Sequence, residues 1–298
     1  MAAALTNRGR QVATSVAFVT TADGVRVATH DLGGDGPPLV MVHAAGLHGM
    51  VFAPLAGHLA GHFHCVSLDG RGHGASVVPP GQQLDWYGLA ADVLAVVDGL
   101  GLDRPYGFGH SSGATAVLMA EQARPGTFAA LYCFEPVIVP ADPPLGRDEH
   151  NWLAAQARRR RTTFASRDEA CRHYASKPPM SDMTPEALRA YVDHGFADCD
   201  DGGVQLKCRP DAEAAVYEMA TAHDAYARLA DVGCPVAVSC GSETEGCTPE
   251  RARCHVERLP QGRTDVLDHV GHLGPLERPD RVAASMLRFF SEAGRRSP

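Results

Sequence analysis

Gly109-His110-Ser111-Ser112-Gly113 is the stretch that decides the fold of this chain. It follows an apolar run, Pro105-Tyr106-Gly107-Phe108, that reads as a strand, and it opens Ala114 to Arg124, which reads as a helix. A G-x-S-x-G between a strand and a helix is a nucleophile elbow: the glycines permit a turn so tight that the serine oxygen stands clear of its own backbone. The five-residue pattern alone is weak in a chain with 31 glycines. Its weight comes from the strand–turn–helix setting that the motif requires. The competing reading of Ser111 is a solvated serine in an ordinary turn.

Outward from the elbow, apolar runs and helical patterns alternate. Val16, Phe18, Val25 and Val27 alternate with their neighbours as half-buried strands do, with a turn at Ala22-Asp23-Gly24. Leu39 to Val42, ending at His43, and Phe63 to Leu68, ending at Asp69, are continuous apolar runs of the kind covered on both faces. Leu84, Tyr87, Leu89, Val93, Val96 and Leu100 recur at helical spacing over 84–100. Further strands are expected at Phe128 to Val139, Val236 to Val238 and Thr264 to Leu267, and a closing helix at Arg278 to Glu292, begun at Pro279. This order implies a mostly parallel, doubly wound α/β sheet, whose ligands bind at the carboxyl ends of the strands. His43, Asp69, Ser111, Glu135 and Gly241 all fall at or just past such ends. The stretch from Pro140 to Arg228 breaks the pattern: it begins Pro140, Pro143, Pro144 and turns polar and helical, with no buried-strand run. Residues 140–228 therefore read as a helical lid inserted into a core made of 1–139 and 229–298.

Composition narrows the function. An apolar share of 45% supports a substantial core, and a net charge of −8 disfavours a nucleic-acid partner. The nine cysteines are odd in number and form no C-x-x-C pair; Cys65, Cys133 and Cys240 lie in or at the end of apolar runs, which points to free thiols and a cytoplasmic setting. No secretory h-region is expected before the first strand, and no window approaches the ~20 apolar residues of a membrane span, so no membrane association is expected. Homo-oligomerisation is left open.

Together the segments resemble the α/β-hydrolase family over nearly the whole chain outside the lid. His43-Ala44-Ala45-Gly46-Leu47-His48-Gly49 resembles its oxyanion-hole loop, Asp69 to Ser76 its D-x-R-G-x-G-x-S loop, and Gly271-His272 to Pro279 the segment bearing its histidine. The resemblance implies the α/β-hydrolase fold and a serine-hydrolase site, with no cofactor. His43 resembles a family residue that braces neighbouring loops.

A serine hydroxyl needs an adjacent base. Among 15 histidines, His272 is favoured because the histidine comes last in this fold. His269, three residues earlier, is its rival, and His110 is read as structural. The acid that orients the histidine has two candidate positions. The commoner family position follows the Val236–Ser239 strand, where Thr244 stands in place of Asp, leaving Glu243 or, as the principal alternative acid, Glu245. The other follows the strand after the elbow helix, where Glu135 stands 24 residues beyond Ser111; that spacing resembles haloalkane dehalogenases and zearalenone-type lactonases. A glutamate ending an apolar run is costly to bury unpaired, so Glu135 is preferred. The oxyanion hole is expected from the backbone N–H of Ser112 and of Ala45. A serine at the elbow excludes the aspartate-nucleophile routes of dehalogenases and epoxide hydrolases and points to acyl transfer. The substrate expected is a small to medium ester or lactone; a C–C bond hydrolase and a non-catalytic ligand receptor are the alternatives.

Other signals carry less. Arg158 to Arg161 reads as a solvated helix face, with a steering patch for an anionic substrate as the alternative. His62-Phe63-His64 and Cys254-His255 lack zinc spacing, so no metal is expected. The glycines of 33–36 and 70–74 match neither a dinucleotide fingerprint nor a P-loop. Trp86 and Trp152 read as packing residues, with Trp152 also able to face substrate.

Overall fold

The structure, a computed structural model, describes residues 16–139, 148 and 150–296. The segments Met1 to Ser15 and Pro140, Pro143 and Pro144 lie outside the described residues.

The strands are Ala17–Thr20 (β1), Arg26–Gly33 (β2), Pro38–Val42 (β3), His64–Leu68 (β4), Tyr106–His110 (β5), Leu131–Phe134 (β6), Thr163–Phe164 (β7), Phe196–Asp198 (β8), Val204–Leu206 (β9), Val236–Gly241 (β10) and Gly262–Leu267 (β11). The helices are Ala53–Leu59 (α1), Trp86–Gly99 (α2), Ser112–Ala123 (α3), Trp152–Arg158 (α4), Arg167–Ala175 (α5), Pro185–Gly195 (α6), Pro210–Glu218 (α7), Pro249–Val256 (α8), Gly274–Glu277 (α9) and Pro279–Arg296 (α10).

The main sheet has the order β1-β2-β4-β3-β5-β6-β10-β11. β1–β2 and β2–β4 pair antiparallel; every other neighbour pair is parallel. Strand alternation sends Leu39 and Met41 to one face and Val40 and Val42 to the other. The first face packs against α1 and α10, through Leu55, Leu59, Val282, Met286, Phe289 and Phe290; the second packs against α2 and α3, through Val93, Val96, Val117 and Leu118. Each such side chain contributes about 1.5–3 kcal/mol by leaving water. Helix α2 starts where Asp85 accepts the Gly88 N–H at 2.6 Å, satisfying one free donor of its first turn.

Three expectations are corrected. The strand expected over Phe128 to Val139 is confined to Leu131–Phe134, because Glu135 takes a φ of 49° and leaves the extended region. The inserted segment is not purely helical: β7, β9 and β8 form a three-stranded antiparallel sheet. Strands of two or three residues are too short to leave an apolar run in the sequence. Trp86 is buried, donates to Val216 O at 3.0 Å and stacks on His223; Trp152 is exposed and is not a packing residue.

All nine cysteines are free. No helix among the described residues is long and apolar enough to cross a membrane.

Candidate active site

The parallel ladder carries several chemistry-bearing residues to one edge. Ser111 N donates to Phe134 O at 2.9 Å and Glu135 N to Ser239 O at 2.8 Å, each as the last rung of its strand pair. Ser111 then turns sharply, with φ 55° and ψ −117°, a region that non-glycine residues rarely occupy. The flanking glycines make room for that turn. A Cβ on Gly113 would come within 2.2 Å of Val42 O, and one on Gly109 within 2.4 Å of Ala114 Cα.

His272 follows β11 and lies at the elbow. Its carbonyl accepts from His110 Nε2 at 2.8 Å, and the two rings are 5.1 Å apart. Its Nδ1 is 2.6 Å from Glu135 Oε2. An ionised carboxylate only accepts, so this bond fixes the proton on Nδ1 and leaves Nε2 as the basic nitrogen. The His272 side chain is 41% exposed, whereas Glu135 is buried. The buried carboxylate is fully provided for: Oε1 accepts from Gly241 N at 3.0 Å, and Oε2 also accepts from Thr244 Oγ1 at 2.7 Å.

Thr244 was the position that could not supply an acid. Its hydroxyl accepts from Gly246 N at 3.1 Å, which directs its own proton to Glu135. The other candidates lie apart. Glu243 and His269 pair with each other at 2.9 Å, both largely exposed, and Glu245 is exposed with no polar partner among the described residues. Thr244 as a support for Glu135 was missed from sequence; the signal was its place three residues after Gly241, on the loop facing the end of β6. Glu277 was also missed. Its carboxylate accepts from Gly271 N at 2.9 Å and Leu273 N at 3.0 Å, clamping the backbone on both sides of His272. Burial raises its pKa, against those two bonds.

Among the described residues, no hydrogen bond joins Ser111 Oγ to the His272 ring. His110 is buried, and burial followed by the neighbouring His272 holds its pKa well below the ordinary value; as a neutral ring anchoring the His272 carbonyl it is structural. Ala45 and Ser112 both line one small void, together with Val42, His73 and Gly113. His43, buried and with its pKa lowered to about 3 by burial, accepts from Gly70 N at 3.0 Å and so ties the loop after β3 to the loop after β4. The second loop is anchored in turn by Arg71, whose guanidinium meets the buried Asp92 at 2.8 Å and Asp23 at 2.9 Å.

The arginine run divides. Arg158, Arg159 and Arg161 are exposed, but Arg160 turns inward, with Nη1 2.9 Å from the buried Glu213 and 3.2 Å from the Tyr191 hydroxyl. The run is therefore not a wholly solvated face. Among the described residues, no group of three or more His, Cys, Asp or Glu side chains is arranged to hold a metal ion.

Ser111 in its strained turn and the carboxylate-bonded imidazole of His272 thus lie at the same strand-end edge of an α/β sheet. The chain belongs to the alpha/beta hydrolase family, whose family model matches residues 39–285. It is 35% identical over 138 residues to a non-heme chloroperoxidase of Burkholderia pyrrocinia, an alignment covering 43% of this chain and 46% of the relative. It is 34% identical over 135 residues to a bifunctional esterase/perhydrolase of Acinetobacter calcoaceticus, covering 43% and 45%. The chain thus spans under half the length of these curated relatives. The structure of E-2-(acetamidomethylene)succinate hydrolase superposes with a TM-score of 0.81 at 19% identity, over 93% of this chain and 99% of that one, which shows the shared fold.

Proposed function

We propose that the chain is a cofactor-free serine hydrolase that cleaves a small to medium carboxylic ester or lactone through an acyl-enzyme. The observation that carries this reading is the 2.6 Å contact between His272 Nδ1 and the buried Glu135 carboxylate, at the edge where Ser111 makes its strained turn. In this mechanism Ser111 Oγ attacks the substrate carbonyl while His272 Nε2 takes its proton. Glu135 holds the tautomer and stabilises the imidazolium. The backbone N–H groups of Ala45 and Ser112 receive the oxyanion; such donors are worth on the order of 10²–10³ in rate each. His272 then returns its proton to the leaving oxygen, and water, activated by the same ring, releases the acid.

Residues 140–228 serve as the lid in this reading. Glu213 of that segment, paired with Arg160, reaches the loop after β3, where a Cβ on Gly46 would come within 2.4 Å of Glu213 Oε1. A pocket enclosed by such a lid would suit a small-molecule substrate rather than a polymer. The free thiols support a cytoplasmic location.

A fluorophosphonate probe should label Ser111, and p-nitrophenyl esters from acetate to octanoate should turn over in the wild type but not in Ser111→Ala. Absence of an adduct at Ser111 would remove the hydrolase reading in favour of a ligand receptor. A parallel panel of lactones, esters with a free carboxylate and β-diketones sorts ester, lactone and C–C cleavage.

A further inference from the structure

Two histidines cross between the loops after β3 and β4, in opposite directions. His43, in the first loop, donates from Nδ1 to Ala44 O at 2.7 Å and accepts the Gly70 N–H at Nε2. His73, in the second, donates from Nδ1 to Arg71 O at 3.1 Å and accepts the Gly46 N–H at Nε2, at 3.0 Å. Backbone carbonyls only accept and backbone N–H groups only donate, so both rings are neutral and protonated at Nδ1. They are buried, with centroids 5.2 Å apart.

These bonds grip the two peptide planes that meet at Ala45. In a trans peptide the C=O and N–H point opposite ways. Holding Ala44 O against His43 therefore turns the Ala45 N–H away from that ring. Holding the Gly46 N–H against His73 keeps the next plane from rotating and turns the Ala45 carbonyl the other way. Glu213 also packs on Gly46. The charged and titratable groups around His73 are Glu213 and Arg160 of the inserted segment and Asp69 of its own loop, with His43 beside it. Burial lowers its pKa against the pull of the two carboxylates, which suits an acceptor that must stay neutral.

We infer that His73 is a positioning residue of the oxyanion hole, fixing through Gly46 the backbone that presents the Ala45 N–H to the developing negative charge. This rests on the serine-hydrolase reading above. The test uses the full chain, p-nitrophenyl acetate, and active sites counted by fluorophosphonate titration. His73→Phe keeps a ring but removes the acceptor; it should lower kcat per titrated site about tenfold, less than the ~10²–10³ of losing a donor outright, with KM within about twofold. Affinity for a trifluoromethyl ketone, whose adduct carries the oxyanion, should fall in parallel. His73→Gln, whose side-chain oxygen reaches the position of Nε2, should recover most of the loss. A normal kcat per site in His73→Phe, or a His73→Gln no better than it, would overturn the role; so would a loss confined to the number of titratable sites, which marks a purely structural residue. Failure of the wild type to label or turn over ester refutes the hydrolase reading itself, and this role with it.

Discussion

The loops that follow β6 and β10 lie side by side, and each carries acidic residues within a few positions of its strand end. After β6, Glu135 is buried, left-handed in backbone, and bonded to Gly241 N, Thr244 Oγ1 and His272 Nδ1. After β10, Glu243 and Glu245 are exposed; Glu243 pairs only with the surface His269. A carboxylate in water gains little from one ion pair, while a buried one must have every lone pair met and becomes a rigid, strongly interacting group. The difference teaches that the orienting acid is set by enclosure rather than by the number of acidic residues nearby. The loop after β10 takes part through a hydroxyl and an amide rather than through a charge.

The contrast can be broken most directly at Glu135. Glu135→Gln keeps shape and removes charge; kcat on p-nitrophenyl esters should fall by about 10³–10⁴ with little change in KM, as expected when the imidazole loses its orienting acid. An equal loss in Glu245→Gln with activity kept in Glu135→Gln would reverse the comparison. The second test moves the acid across. Thr244 Oγ1 and His272 Nδ1 meet the same oxygen of Glu135 at 2.7 and 2.6 Å, so a carboxylate at 244 lies close to the imidazole. Adding Thr244→Asp to Glu135→Gln should recover kcat by about tenfold, a gain of ~1.4 kcal/mol in transition-state stabilisation, read in the same assay. Third, Thr244→Val removes one hydrogen bond to a buried charge, worth about 1.5–3 kcal/mol. A melting temperature lowered by several degrees and a modest fall in kcat are expected, measured by thermal unfolding and steady-state kinetics. The smallest effect is expected of Glu245→Gln, within about ±0.5 kcal/mol in stability as for other exposed positions, with kcat unchanged.

Much of the frame was legible along the chain because its signals are local. The G-x-S-x-G turn, the apolar runs ending at His43 and Asp69, and the helical repeat over 84–100 depend on neighbours in sequence. The expected strand at 128–139 was too long because the left-handed turn at Glu135 has no sequence signal of its own; Asn or Gly would have announced it, and glutamate does not. Arg160 was grouped with its three neighbours, and only packing against Glu213 and Tyr191 separates it from them. Trp152 looked like a packing residue by type, yet lies on the surface, because an aromatic side chain alone does not say which face of α4 is covered.

The chain by itself determined an alternating α/β architecture and placed a small set of polar residues at strand ends, since hydrophobic periodicity and turn chemistry act over a few residues. Only the tertiary structure decided which of those residues meet. Glu135 and His272 are 137 positions apart and the hydroxyl of Thr244 is 109 from the carboxylate it supports. Their contact depends on β5, β6, β10 and β11 lying parallel and in register, so that separate strand ends fall on one edge. Burial then separates a glutamate that must be paired from two that water can serve, a distinction of environment that residue type does not carry.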